Sequence, residues 1–344
     1  MHRDPIAPAS AFRILSETQN AALDAENHSV PPNGQGPRDQ HGRAAVDLTV
    51  NVHTSDALFF EATYRHLVRQ LDYPFRTRRI AVDHGQPRGR FVVAAEPEYA
   101  IDNQLSRLLA DQIVDVVENV DWSVDTIARV MTRHFGDPTA AVVDDRGRPV
   151  FQYLWAVDQC DADYVLHYDS DILVHFEDGG AWIDESIAAM RANPKLMGTV
   201  QEAGPPRATT LMDWIFGYQP RTPANRWQRP QDFFFPTRYF LIDRVRFLEL
   251  SPLRPASSQR LEDTVTQTMH ERGFELWAIA DDRNWAIHPE THNANHTRYL
   301  IDLIRMVEAG RQPFRRTANR WDIRTGRRFI PWRIAIERDR LLRR

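Results

Sequence analysis

The feature that most restricts the fold is an alternation of hydrophobic period along the chain. "DLTVNVHT", beginning at Asp47, is a short β-rich run. The next stretch, "SDALFFEATYRHLVRQLDY", repeats Leu58, Phe59, Ala62, Leu67 and Leu71 near helical spacing, with Ser55 or Asp56 placed to cap it. After Pro74, "RRIAVD" returns to a strand. Parallel neighbours cannot be joined by a tight turn, so strand, helix and strand in close succession form a crossover unit.

The alternation continues. "QLSRLLADQIVDVVENV" and "VDTIARVMTRHF" read as helices, and "RPVFQYLWAVDQC" as another that feeds the strand "DYVLHYDSD". Further on, "GTVQEAG" and "RYFLIDRVRFLEL" read as strands, and "EDTVTQTMHERG" as a helix with acids in its first turn and Gly273 at its end. The expected fold class is α/β: a mostly parallel, twisted central sheet with helices on both faces, whose ligands collect at the carboxyl ends of the strands. Residues 1–45, polar and broken by Pro and Gly, are expected to be a flexible leader. Residues 46–300 form the main domain and 301–344 a basic, helical extension.

Composition narrows the function classes. At 344 residues and 42% hydrophobic content the chain can bury a large core, and a formal charge of −4 gives no pull toward nucleic acid. One cysteine, Cys160, excludes an intramolecular disulfide and a multi-cysteine zinc site, which fits a reducing cytoplasm. Lys195 is the only lysine among 43 basic residues. No signal peptide and no spanning segment of about 18 apolar residues is visible. The exception to the even charge is the segment 311–344, where twelve arginines face three acids and apolar residues are interleaved. That segment could meet an anionic membrane from the cytoplasmic side, or cover the acidic remainder of its own protein.

Three constellations carry chemistry. In "YVLHYDSDILV", Asp169 and Asp171 end an apolar run, and on a strand they project to one side. Two close carboxylates repel unless a cation lies between them, and a hard ion such as Mn²⁺ or Mg²⁺ suits them; two solvated acids at a strand end are the plainer alternative. In "QRLEDTVTQTMHERGF", Glu262 and Asp263 could merely complement the helix dipole, or Asp263 could face a cleft as a general base. In "WAIHPETHNANH", His292 and His296 read as solvated loop residues, whereas His288 ends an apolar run and could complete a metal shell. The loop "GYQPRTPANRWQRPQDFFFP", with Tyr218, Trp227 and several arginines and with Trp214 just before it, could stack on sugar rings and pair with anionic groups, or simply cover a sheet edge.

The order of these parts resembles the inverting, nucleotide-sugar-dependent glycosyltransferases of family 2, which have the glycosyltransferase A fold. The likeness runs from about Asp47 to His288 through "LTVNVHTSDALFFEATYRHLVRQ", "IAVDHGQ", "ADYVLHYDSDILV" and "PTRYFLIDRVRFLEL...RLEDTVTQTMHERGFEL". The resemblance implies that Thr54 and Asp83 contact the nucleotide, that Asp169 contacts the ribose or the metal, and that Asp171 ligates the metal with His288 as a further ligand. It implies Asp263 as catalytic base with Glu262 supporting it. The cofactor would be Mn²⁺ or Mg²⁺. The partners would be a nucleotide-diphosphate sugar and a saccharide, lipid-linked or small-molecule acceptor. Two departures stand out: His84 occupies the place of a usual acid, and Leu154 lies near the place of a usual asparagine. Two other classes compete. One is a haloacid dehalogenase-like phosphatase, which the strand ending "DSDIL", Lys195 and "AIADD" resemble, with Asp169 as nucleophile; the other is a nucleotide- or carbohydrate-binding protein without turnover.

Overall fold

The structure, a computed structural model, describes residues 44–85, 98–204, 227–228, 234–256, 260–279, 283–289, 291–311, 323 and 330–342. All of these belong to one compact unit, Pro37–Arg344, whereas Met1–Gly36 lies wholly outside the described residues. Trp214, Tyr218, Asp281, Asp282 and most of the arginine-rich segment lie outside them too.

The strand β1 (Val46–His53) leads through a 3-10 turn (Thr54–Leu58) into α1 (Phe60–Leu71), β2 (Thr77–Asp83), α2 (Glu98–Ala110) and β3 (Val116–Asn119). Two helices, α3 (Val124–Phe135) and α4 (Phe151–Asp158), precede the central strand β4 (Tyr164–Asp169). There follow β5 (Leu173–Phe176), α5 (Ala181–Ala192), β6 (Leu196–Ala203), β7 (Trp227–Gln228), β8 (Tyr239–Asp243), α6 (Arg244–Glu249), α7 (Leu261–Glu271), β9 (Glu275–Ile279), β10 (Asn284–Ile287), α8 (Ala294–Glu308) and α9 (Ile330–Leu342).

The strands form one sheet in the order β3-β2-β1-β4-β8-β6-β10-β5, with β9 beside β6 and β7 beside β9. From β3 to β4 every pairing is parallel. β8 is inserted antiparallel to both β4 and β6, so β6 runs in the same direction as β4. The expected α/β class with a mostly parallel sheet is what forms.

Alternation along the strands explains the layers. Val46, Leu48, Val50 and Val52 of β1 and Tyr164, Leu166 and Tyr168 of β4 face one side, where they pack on Phe60, Tyr64 and Leu71 of α1, Ile101 of α2 and Trp182 of α5. Val165 points to the other side, among Met131 of α3, Phe151 and Leu154 of α4, and Val265 of α7. Each such fully buried side chain contributes roughly 1.5–3 kcal/mol relative to exposure. A third apolar cluster joins Leu173, Trp285 and Ile287 to α8 and to Ile336 of α9.

Three local expectations change. "QLSRLLADQIVDVVENV" is not one helix: α2 stops at Ala110, Gln112 takes a left-handed φ of 56°, and the β-branched residues beyond it form β3. "RYFLIDRVRFLEL" is strand only to Asp243, whose carboxylate accepts from Arg246 N at 3.1 Å and caps α6. The turn after β1 is capped by His53, which accepts from Ser55 N at 3.0 Å while Asp56 accepts from His53 N at 2.9 Å. Lys195 is exposed just before β6, on the sheet edge where the parallel strands begin.

Candidate active site

Parallel pairing places strand ends side by side. The register sets His53 of β1 against Asp83 of β2, and Asn51 of β1 against Asp169 of β4. Over these carboxyl ends opens a cleft of 1440 Å³, lined among others by Asp56, Asp83, Tyr153, Asp169, Asp171, Arg238, Glu262 and His292. This is where an open α/β sheet collects its ligands.

Asp83 is fixed from two sides, its Oδ1 accepting from Gly85 N at 2.7 Å and from Trp122 Nε1 at 3.0 Å. A Cβ on Gly85 would stand 2.8 Å from that oxygen, so the close approach needs glycine there. Thr54 is buried in its turn, and it is His53, Ser55 and Asp56 that reach the cleft wall. Because His53 Nδ1 accepts from Ser55 N, its proton sits on Nε2 and is donated to Gly85 O at 2.7 Å.

The two central aspartates are held differently. Tyr153, on α4, directs its hydroxyl at both oxygens of Asp169, at 2.9 and 3.0 Å. His167 Nε2 stands 3.3 Å from Oδ1, and the His167 ring is stacked on Phe240. Burial, followed by the charge of Asp169, pushes the Tyr153 phenol far above its ordinary value, so the tyrosine stays a donor. Strand β4 ends at Asp169, and a turn rather than strand alternation carries Asp171 into the cleft. Ser170 between them is buried and donates to Asp56 at 2.7 Å. Burial raises the Asp56 carboxyl, a shift that the hydrogen bonds from His53 N and Ser170 only partly oppose.

His292 Nε2 lies 2.9 Å from Asp171 Oδ2. Burial pushes Asp171 up, but His292, with the charges of His288 and Arg238, outweighs it and holds the carboxyl below the usual range. The partnership raises His292 in turn, against its own burial. His292 and His296 are therefore not the solvated pair expected. Asn293 caps α8, which turns His296 inward against Phe59, where burial and then the His292 charge lower it to about 4. His288, expected as a further metal ligand, is directed at Arg238 Nη1 and, through Nδ1, at Pro289 O.

The helical pair also divides. Glu262 lines the cleft, accepting from Thr237 Oγ1 at 3.2 Å with Arg148 Nη1 at 3.6 Å. Asp263, expected as the base, is gripped by both Nε and Nη2 of Arg260, at 2.5 and 2.6 Å.

Among the described residues no group of three or more His, Cys, Asp or Glu converges as a ready metal cage. Mg²⁺ and Mn²⁺ are commonly bound by one or two carboxylates, with substrate phosphates and water completing the shell. The hard donors of Asp169 and Asp171 at the cleft, with an imidazole beside Asp171, fit that mode. The residues that sequence reasoning passed over are Tyr153, Asp56, Trp122 and His292. Only His292 carried a usable signal, its spacing of four from His296 ahead of a helix.

No protein-family model matches the chain, and no curated protein does. Solved structures share its chain path at low identity. The mannosyltransferase PcManGT of Pyrobaculum calidifontis, in complex with GDP-Man and Mn²⁺, matches at 12% identity and a TM-score of 0.42, over 83% of this chain and 66% of that one. GalNAc-T7 with UDP, GalNAc and Mn²⁺ matches at 9% and 0.43, over 74% and 45%. Glucosyl-3-phosphoglycerate synthase of Mycobacterium tuberculosis, in complex with Mn²⁺, UDP and glucosyl-3-phosphoglycerate, matches at 11% and 0.38, over 78% and 81%. The chain thus spans less than two thirds of the first two.

Proposed function

We propose that this chain is a metal-dependent, inverting glycosyltransferase that moves a sugar from a nucleotide-diphosphate donor to an acceptor hydroxyl. The observation that carries this reading is the meeting, in one cleft at the strand ends, of Asp83 fixed by two hydrogen bonds, the Asp169 and Asp171 pair, and Glu262 from α7. Asp83, its Oδ1 already satisfied, accepts an N–H from the nucleobase. Asp169 and Asp171 would hold the cation, with Tyr153 orienting the Asp169 carboxylate. When bound, the ion offsets the charge gathering on the departing diphosphate. Glu262 takes the proton from the attacking hydroxyl, because its carboxylate faces the cleft and that of Asp263 is committed to Arg260. A single displacement with the base on the opposite face from the leaving group inverts the anomeric centre. The acceptor is a saccharide, a lipid-linked sugar or a small molecule. The phosphatase reading rests on Lys195 together with Asp169, and Lys195 is exposed just before β6, at the end of the strands away from that carboxylate.

The test is a thermal-shift panel of UDP, GDP and ADP with and without Mn²⁺, followed by donor hydrolysis or transfer. A nucleoside diphosphate that raises the melting temperature only with the metal supports the assignment, since a ligand bound to the native state stabilises it. No response to any nucleotide in the presence of Mn²⁺ overturns it.

A further inference from the structure

The sequence left two roles open for the basic C-terminus, covering its own protein or meeting a membrane, and α9 divides its faces between them. Its inner face is committed to the protein: Ile336 is buried in the cluster around Leu303 and Ile304 of α8, and Arg340 reaches Asp302 at 2.6 Å. Its outer face is not. Ile334 is 63% exposed and Leu341 68%, seven residues apart and hence on one stripe, with exposed Arg333 and Arg338 flanking them and Glu337 between them paired with Arg340 at 3.1 Å. The neighbouring α8 repeats the motif. Ile301 is 52% exposed between exposed Arg298 and Arg305, at spacings of three and four. Two packed helices thus present exposed large aliphatic residues bracketed by arginines, in a chain whose net charge is −4.

We propose that this α8–α9 corner docks on an anionic lipid bilayer. Exposed aliphatic side chains favour insertion at the headgroup boundary, and each arginine near a negative leaflet adds attraction that salt weakens. The charge pattern selects this occupant. On these exposed faces Arg298, Arg305, Arg333 and Arg338 outnumber Glu337, so a second copy of the chain would bring together more like than opposite charges, whereas a phosphatidylglycerol surface supplies the counter-charge. The inference is independent of the chemistry in the cleft.

The experiment is co-sedimentation of the full chain with vesicles of phosphatidylcholine alone and of phosphatidylcholine with phosphatidylglycerol, at low and high salt. The expected result is binding to the anionic vesicles only, weakened by salt. Arg333→Glu/Arg338→Glu should reduce binding about tenfold or more. Ile334→Glu/Leu341→Glu should reduce it similarly, while the circular dichroism spectrum and melting temperature stay near wild type. Equal binding to neutral vesicles, no binding to anionic ones at low salt, or binding untouched by both double variants overturns the proposal. So does a dimer in solution that the same double variants dissociate.

Discussion

The two acidic pairs differ in how they meet the cleft and in what holds them. Asp169 and Asp171 are two apart across a strand end and its turn, and both reach the cleft; Glu262 and Asp263 are adjacent on a helix, and only Glu262 does. Neighbours on a helix point about 100° apart, so one wall can receive only one of them. The second difference is in the partners. The cleft acids accept from a tyrosine or threonine hydroxyl or stand beside a histidine, and the Arg148 guanidinium stays 3.6 Å from Glu262, whereas Asp263 is clamped by Arg260 at 2.5 and 2.6 Å. A carboxylate already neutralised by a fixed guanidinium is a poor proton acceptor, and it stabilises structure instead.

The contrast is broken most readily at Glu262. Glu262→Gln should lower kcat about 10²- to 10⁴-fold with little change in nucleotide affinity, the range for removing a general base. If Asp263→Asn does this and Glu262→Gln does not, the base assignment reverses. Next in size, Asp171→Asn should abolish the metal-dependent part of nucleotide binding, read by titration calorimetry with Mn²⁺, and should cost about 10²-fold in transfer. Smaller again is Tyr153→Phe. It keeps the ring but removes the donor to Asp169, and should weaken Mn²⁺ binding about 10- to 100-fold, as losing the hydrogen-bond partner of a ligating carboxylate does, without lowering stability below that of a matched core variant.

Glu308 sharpens the comparison from the scaffold side. It accepts from His66 Nδ1 at 3.0 Å and from Arg69, and these partners hold its carboxyl down to about 2. A depressed carboxyl contributes stability that is present above its unfolded pKa, near 4.3, and is lost as the pH falls toward 2. Glu308→Gln should therefore cost about 1–2 kcal/mol at pH 7, with the gap to wild type closing between about pH 5 and 2 in denaturant titrations, and activity unchanged. The smallest effect expected is that of Asp263→Asn on stability. Its ion pair with Arg260 is partly exposed, so the loss should stay within about 1 kcal/mol.

Much of this arrangement is legible in the sequence where a repeating pattern carries it. The parallel crossover at β1, α1 and β2 follows from the change in hydrophobic period, and the Asp169–Asp171 pair from an apolar strand that must end somewhere. Boundaries fail where one residue reverses the chain, as at Gln112 and Asp243, because a left-handed φ or a capping carboxylate leaves no periodic trace. Partners distant in sequence are invisible for another reason. Tyr153 is sixteen residues from Asp169 and His292 is 121 from Asp171, so only the sheet topology brings them together. The choice between Glu262 and Asp263 turns on the position of Arg260 and on the rotation of a helix against a cleft, neither of which the motif specifies.

The scarcity of lysine has a practical corollary. Apart from the amino terminus of the chain, Lys195 offers the sole side-chain primary amine for acylating reagents, and it lies at the opposite rim of the sheet from the acids. A sensor chip coupled through that side chain would hold the molecule with its mouth turned toward the solution.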